Sequence, residues 1–297
     1  MAPAPDLLPP PATLIVGAGR LGTSLAEGLH RAGWPVVLIA RSDASAARAG
    51  ARGLAVVRSL AVAPVAELVL LCIPDDAMSA TALALSVVPR ILRPSCVVLH
   101  TSGAVPVAAL ATVAPRVAAI GSLHPLQTVT EQSDAEVLRG ASAAVSGDPA
   151  AIVMAERVAH ALGLVPFRLT DEMKPLYHAA SAIAANFTVA LLDVAIRLAT
   201  EAGMPGETAR TAFAALARGA ADRVSHLTTE EALTGPIARG DVGTVRAHLA
   251  ALRQAAPEVV PMYVEAARCT LRLARRAGLD AGAARTIDAA LADPGCS

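Results

Sequence analysis

Between Thr13 and Ser42 the chain reads TLIVGAGRLGTSLAEGLHRAGWPVVLIARS, and this stretch constrains the fold more than any other. The apolar run Leu14-Ile15-Val16 suits a buried parallel strand, and Gly17, Gly19 and Gly22 follow it in G-x-G-x-x-G spacing. A helical pattern through Leu21, Leu25 and Leu29 then ends at Gly33, and Val36-Val37-Leu38-Ile39 supplies a second strand. In such a unit the first glycine makes a tight turn, the second lets backbone approach a pyrophosphate, and the third lets helix and strand pack closely. The unpaired N–H groups that open the helix face the phosphates. The motif alone is weak. Set between two strands near the N-terminus, it predicts a dinucleotide cradle of Gly17, Gly19, Arg20, Leu21 and Gly22.

The end of the second strand bears on which dinucleotide is held. A carboxylate there bonds a ribose 2′-hydroxyl, whereas an arginine accommodates a 2′-phosphate. This chain has Arg41-Ser42, and its first acid, Asp43, comes later. A guanidinium can grip a phosphate through two hydrogen bonds, so the expected cofactor is NADP, held in part by Arg41 and Ser42.

The 297 residues suggest two domains. At 54% hydrophobic and 17% charged the chain can bury a large core, and with 2% aromatics that core must be Ala, Val and Leu. Zero net charge gives no reason to expect nucleic acid or an anionic membrane as partner. Cys72, Cys96, Cys269 and Cys296 lack metal-site spacing, and two fall in expected strands, where thiols are buried. The proline-rich leader, residues 1–12, has no basic residue, so it reads as a disordered tail and not as a signal peptide. The longest uncharged stretch, between Arg93 and Arg116, contains His100, Gly103 and three prolines and reads as strand, loop and helix, not a membrane span. The expected setting is the cytoplasm.

Further along, strands alternate with helices to about residue 170. This predicts an α/β domain over 13–170, a doubly wound, mostly parallel Rossmann sheet with helices on both faces. The strand Glu67 to Ile73 ends in Pro74-Asp75, and a later strand ends in His100-Thr101-Ser102-Gly103. Ligands sit outside the carboxyl ends of strands in such sheets, so Cys72, Ile73, Pro74, Thr101 and Ser102 are expected to edge the cofactor. The hydroxyl residues could equally cap helices. A helix is expected from Pro106 to Val113, and small-residue strands at 141–146 and 164–169. The polar loop GSLHPLQT carries His124, a candidate substrate ligand.

From Thr170 the apolar residues recur only at helical spacing, which predicts an all-α domain over 171–297. Asp171 is a plausible N-cap for a helix from Glu172 to about Ala202, some 45 Å long. One small domain cannot cover so long an apolar helix, so it predicts a homodimer built through it. Shorter helices are expected at 207–225, 241–254, 257–276 and 280–291, with a polar break at 226–240.

The chemistry-bearing residues cluster at the start of the long helix: Lys174, Tyr177, His178, Ser181 and Asn186. Lys174, His178 and Ser181 fall within roughly 60° of one another on a helical projection, and Asn186 about 80° from His178. Polar groups on an otherwise apolar helix are costly unless something binds them. Arg239 could pair a substrate carboxylate, or simply Asp241. Hydride transfer needs a group that supplies a proton or a positive field as charge builds on the acceptor; Lys174 or His178 could be that group.

The segments GSLHPLQT, YHAASAIAANFTVAL and LTGPIARGDV together resemble a bacterial family that joins a Rossmann-like domain to a helical domain of unknown function. That family is similar in architecture to ketopantoate reductases, pyrroline-5-carboxylate reductases and β-hydroxyacid dehydrogenases. The resemblance implies catalysis by a lysine on the first long helix, matched here by Lys174, followed by asparagines. Asn186-Phe187-Thr188-Val189-Ala190-Leu191 resembles the ketopantoate reductase asparagine segment, while His178 stands where an asparagine is expected. Three functions follow as expectations. The first is an NADPH-dependent reductase of a small 2-oxo acid such as ketopantoate, with catalytic Lys174, His178, Ser181 and Asn186 and with His124 and Arg239 on the substrate. The second is a cyclic imine reductase, and the third a non-catalytic NADP-binding sensor or scaffold. No metal is expected.

Overall fold

The computed structural model describes residues 9–88 and 90–293. Of the expected leader, residues 1–8 lie outside the described residues, as does Cys296. The chain divides into two compact units, one running to Ala185 and the other from Asn186 onward.

The first unit is built on one eight-stranded sheet of order β3-β2-β1-β4-β5-β6-β7-β8. The strands are β1 (Thr13–Val16), β2 (Val36–Ile39), β3 (Ala55–Val57), β4 (Ala66–Leu71), β5 (Leu92–His100), β6 (Ala119–Pro125), β7 (Ser142–Gly147) and β8 (Val165–Arg168). All neighbours are parallel except β6 and β7, which pair antiparallel with His124 opposite Ala144. Side chains alternate across the sheet as strand geometry requires. Ile15 goes to one core with Leu25 and Leu29 of helix α1 (Arg20–Arg31) and Val158 of α4 (Pro149–Ala161). Leu14 and Val16 go to the other core with Met78 and Leu85 of α3 (Met78–Ser86). The strands are therefore apolar on both faces, as in a covered parallel sheet. Helix α2 (Asp43–Ala51) is capped by Ser42, whose hydroxyl accepts the Ser45 N–H at 3.2 Å.

Two local expectations are corrected. Residues 107–110 form a 3-10 turn in place of a helix from Pro106 to Val113. Asp171 does not cap the long helix: Thr170 precedes a 3-10 turn over Asp171–Met173, and the Asp171 carboxylate is used elsewhere.

The long helix is present. Helix α5 (Lys174–Ala182), a π segment (Ile183–Phe187) and α6 (Thr188–Glu201) form one run. The division between the two units falls inside the π segment. The run Asp171–Glu201 spans 31 residues and is long and apolar enough to cross a membrane by length and composition, and none of its most apolar window is buried.

In the second unit α7 (Gly206–Val224), α9 (Val242–Ala255), α10 (Val260–Arg276) and α11 (Ala281–Ala292) match the expected helices, and the polar break holds a one-turn helix, α8 (Thr229–Ala232). Its core is built from Val245 and Leu249, Leu271 and Ala274, and Ile287 and Leu291, one pair from each of α9, α10 and α11.

Candidate functional site: a cleft at the carboxyl edge of the sheet

Strand order reverses between β1 and β4, so the connections that leave these two strands part to opposite faces of the sheet. A cleft of about 410 Å³ opens there. Its floor is Gly19, Arg20, Leu21 and Gly22, and one wall is Cys72, Ile73, Pro74 and Asp75. Thr101, Ser102 and Gly103 follow β5, His124 and Pro125 end β6, and Gln127, Val129 and His178 complete the lining.

The three glycines have different physical reasons to be there. Gly17 has φ +114°, and a Cβ on it would sit 2.2 Å from the Cys72 carbonyl oxygen. A Cβ on Gly22 would lie 1.9 Å from the Gly17 carbonyl oxygen. Both are fixed by the protein's own packing. Gly19 is not: it has φ −75°, open to any residue, and a Cβ would meet no atom within 4 Å. Only something outside the protein chain would make a side chain here unwelcome. Gly19 is also the N-cap of α1, without a side-chain cap and without an acid in the first turn. An anion is the natural complement of that helix end. These observations fit a dinucleotide pyrophosphate on the backbone beside Gly19.

The β5 turn is held by its own side chains. The Thr101 hydroxyl donates to the Leu71 carbonyl at 3.2 Å, and the Ser102 hydroxyl accepts the N–H groups of Ala104 and Val105 at 3.1 and 3.0 Å. Both residues are buried. His100, fully buried behind them, accepts the Ser102 N–H on Nδ1 at 3.2 Å. Cys72 touches the cleft, but burial pushes its thiol up to about 12. At neutral pH it is therefore held as the thiol.

His124 ends β6 beside Gly103, whose hydrogen leaves room for the ring: a Cβ there would come within 2.7 Å of the imidazole. Its Nδ1 is 2.9 Å from the Tyr177 hydroxyl. Burial, and then the neighbouring His178, lower the imidazole to about 4. At neutral pH it is an uncharged group with one donor and one acceptor.

Lys174 is placed unlike the other residues of its stripe. It is 2% exposed and does not line the cleft. Its ammonium lies 2.8 Å from Asp171 Oδ1 and donates to the Val105 carbonyl at 3.0 Å. The other Asp171 oxygen accepts the Val107 N–H at 2.7 Å, and the Ser146 hydroxyl reaches Asp171 at 3.4 Å. The pair thus ties the start of α5 to the β5 turn and to β7. Ser181 spends its hydroxyl on the Tyr177 carbonyl at 2.9 Å within its own helix. His178 is exposed and does line the cleft. Asn186, in the π segment, and Arg239 are both exposed residues of the second unit.

At the end of β2, Arg41 is exposed and Ser42 bonds Ser45 at 2.8 Å between hydroxyls. Arg58 donates to the Ser42 carbonyl at 3.0 Å and pairs with the exposed carboxylate of Asp43. Sequence reasoning missed that Gly103 leaves room for the His124 ring and that Asp171 pairs with Lys174. The Asp171–Lys174 spacing of i, i+3 was a legible signal for the last of these.

Fold and cleft define a chain with a Rossmann-like sheet followed by a helical C-terminal part. Residues 7–125 match the model of a Rossmann-like domain and residues 141–270 that of a Domain of unknown function (DUF2520). The chain thus carries a Rossmann-like domain followed by a DUF2520 domain. No curated protein matches it. Among solved structures, a Thermotoga maritima protein is 23% identical, covers 89% of this chain and 98% of its own, and superposes with a TM-score of 0.70. A Bacteroides fragilis protein designated an NADP oxidoreductase is 22% identical over 90% of this chain and 98% of its own, with a TM-score of 0.69. A pyrroline-5-carboxylate reductase from Coxiella burnetii is 15% identical over 91% and 99%, with a TM-score of 0.59. At these identities the likeness is one of fold.

Proposed function

We propose that the protein is an NADPH-dependent reductase of a small 2-oxo acid, with a ketopantoate-like compound the best single choice. The observation that carries the reading is Gly19, a glycine that no atom of the protein requires, at the mouth of an uncapped helix in the cleft. The architecture shared with proteins designated as an NADP oxidoreductase and a pyrroline-5-carboxylate reductase supports it. When bound, the nicotinamide supplies the hydride. The Gly19–Gly22 backbone binds the diphosphate, Thr101 and Ser102 shape the wall, and neutral His124 offers a hydrogen bond to the substrate oxygen. His178, beside it in the cleft, is the second candidate donor. A neutral donor suits a carbonyl, which gains negative charge during reduction, better than an iminium, which begins charged. A cyclic imine remains the second substrate class because of the fold shared with the Coxiella enzyme. The test is NADPH oxidation against a panel of 2-oxo acids and cyclic imines; binding without turnover on any of them would leave a sensor or scaffold.

Selection of NADPH is assigned to Arg41 and Ser42, with Asp43 paired to Arg58. A charge-assisted bond to phosphate contributes about 1.5–3 kcal/mol. Arg41→Ala is therefore expected to weaken NADPH roughly 10- to 100-fold and leave NADH unchanged, as read by fluorescence titration. Equal losses for both nucleotides would remove Arg41 from this role.

We also propose that the exposed face of the long helix pairs with a second copy. Leu176, Ile183, Phe187 and Leu191 are between 46% and 67% exposed along it. Soluble monomers rarely expose a continuous apolar patch beyond a few hundred Å², and self-pairing along a two-fold axis covers the same patch on both copies. Sedimentation equilibrium is expected to give a dimer, and Phe187→Glu with Leu191→Glu a monomer. A native monomer, or flotation with lipid vesicles, would overturn this.

A further inference from the structure

Tyr177 lies outside the cleft lining, yet it is the protein group bonded to the imidazole that faces the cleft. Its ring is held from two sides. Phe167 of β8 meets it edge-on at 5.9 Å and 67°, and the His124 ring at 5.6 Å and 87°. Its backbone belongs to the first turns of α5, three residues after buried Lys174 and therefore on the same helix face. Such a hydroxyl has little freedom to point elsewhere.

The bond between His124 Nδ1 and the Tyr177 hydroxyl could run in either direction, and chemistry chooses between them. A phenol O–H is a stronger donor than a neutral imidazole N–H, and an imidazole sp² nitrogen is a stronger acceptor than a phenol oxygen. Burial raises Tyr177 above its usual value, so the hydroxyl keeps its proton to donate. The described hydrogen bond of the His124 ring is the one on Nδ1, and none is described on Nε2. The tautomer of a histidine is set by the bond its other nitrogen makes.

We infer that Tyr177 is a positioning residue: its hydroxyl donates to His124 Nδ1 and fixes the imidazole as the Nε2–H tautomer, which presents a donor to the cleft and selects a substrate with an acceptor oxygen. The inference deepens the reductase reading and rests on it for the identity of that acceptor. The tautomer itself exists without cofactor or substrate. The charged and titratable groups that act on the ring are His178, Asp75 and Lys174; His178 and Lys174 disfavour a second proton and Asp75 favours one.

The experiment is a multiple-bond ¹H–¹⁵N correlation spectrum of the full chain with ¹⁵N-labelled histidines near neutral pH, with His124→Asn to assign the signal. The native protein is expected to show a protonated Nε2 and an unprotonated Nδ1 at His124. Tyr177→Phe keeps both ring contacts and removes only the hydroxyl. It is expected to convert the single tautomer into an exchanging mixture and to move the ring's acid titration upward from about 4, because a donor to Nδ1 favours the neutral form. A merely structural tyrosine would leave the tautomer unchanged. A native Nδ1–H tautomer, or an unaltered Nε2–H tautomer in Tyr177→Phe, would overturn the inference. If Tyr177→Phe fails to fold, a native Nδ1–H tautomer still overturns the inference, and the same shift of tautomer sought in Tyr177→Leu reads the loss of the hydroxyl. Loss of NADPH oxidation across the panel would strike the reductase reading and leave this result standing.

Discussion

Gly19→Ala is expected to cost the protein its dinucleotide and spare its stability, while Gly22→Ala lowers its stability. The difference follows from what each new methyl group would meet. At Gly22 the Cβ would sit 1.9 Å from the Gly17 carbonyl oxygen, and Cys72 Cβ is 3.0 Å away on the other side. Neither the turn nor the strand end can yield without breaking the β1–α1 packing. Overpacking of this kind costs about 1–3 kcal/mol or more, which lowers the melting temperature by roughly 5–10 °C. At Gly19 the methyl group meets no protein atom within 4 Å, and the backbone angles suit alanine. Stability should move by no more than about 0.5 kcal/mol. The methyl group would instead stand where the diphosphate must approach the backbone, so the NADPH dissociation constant should rise tenfold or more, about 1.4 kcal/mol. Thermal melts and NADPH titrations on the two variants separate the effects. Native-like NADPH binding by Gly19→Ala would sink the assignment of the cleft.

What could be read in the sequence was whatever the chain settles locally. The glycine loop, the alternation of Leu14, Ile15 and Val16, and the 31-residue helical run all follow from spacing, and all are present. What could not be read was settled by partners distant in sequence. Lys174, His178 and Ser181 share one stripe of α5, as expected, yet meet three fates: an ion pair, a cleft wall and a bond within the helix. Spacing allows the ion pair with Asp171 and the bond within the helix, but it does not say which of the three residues reaches the cleft, because the cleft is lined by the ends of strands distant in sequence. The segment from Pro106 to Val113 has helical composition but forms a 3-10 turn, and the Val107 N–H that opens that turn is bonded to Asp171. The antiparallel direction of β7 is likewise set by its ladder with β6 and not by the small residues that compose it. His124 could be seen as a histidine in a polar loop. That it ends a strand, with Tyr177 behind it and Gly103 beside it, could not.

The fate of Lys174 can be tested directly, because a catalytic lysine and a structural one fail in different ways. Lys174→Met keeps the length of the side chain and removes the charge. Asp171 would then hold a carboxylate with the Val107 N–H and the Ser146 hydroxyl but no counter-ion. Breaking one side of a buried pair costs about 3–5 kcal/mol. The Asp171 side chain is 29% exposed, and that solvent contact places the expected loss near the lower end of the range. Lys174→Met with Asp171→Asn removes both charges, and should recover part of what the single change loses. The loss should also depend on pH, with a definite sign. Burial pushes the Asp171 carboxyl up, but the Lys174 ammonium, the Val107 N–H and the Ser146 hydroxyl outweigh it and hold the group below its usual value. A carboxylate with a lowered folded value stabilises above its unfolded value, about 3.9, and loses that contribution as pH falls through the folded value. The gap in stability between the native protein and Lys174→Met should therefore be widest at neutral pH and narrow on acidification below about pH 4. Urea unfolding across that range reads it. A Lys174→Met protein as stable as the native one, yet unable to oxidise NADPH with a panel compound that the native protein reduces, would return the ammonium to the chemistry and remove it from the scaffold.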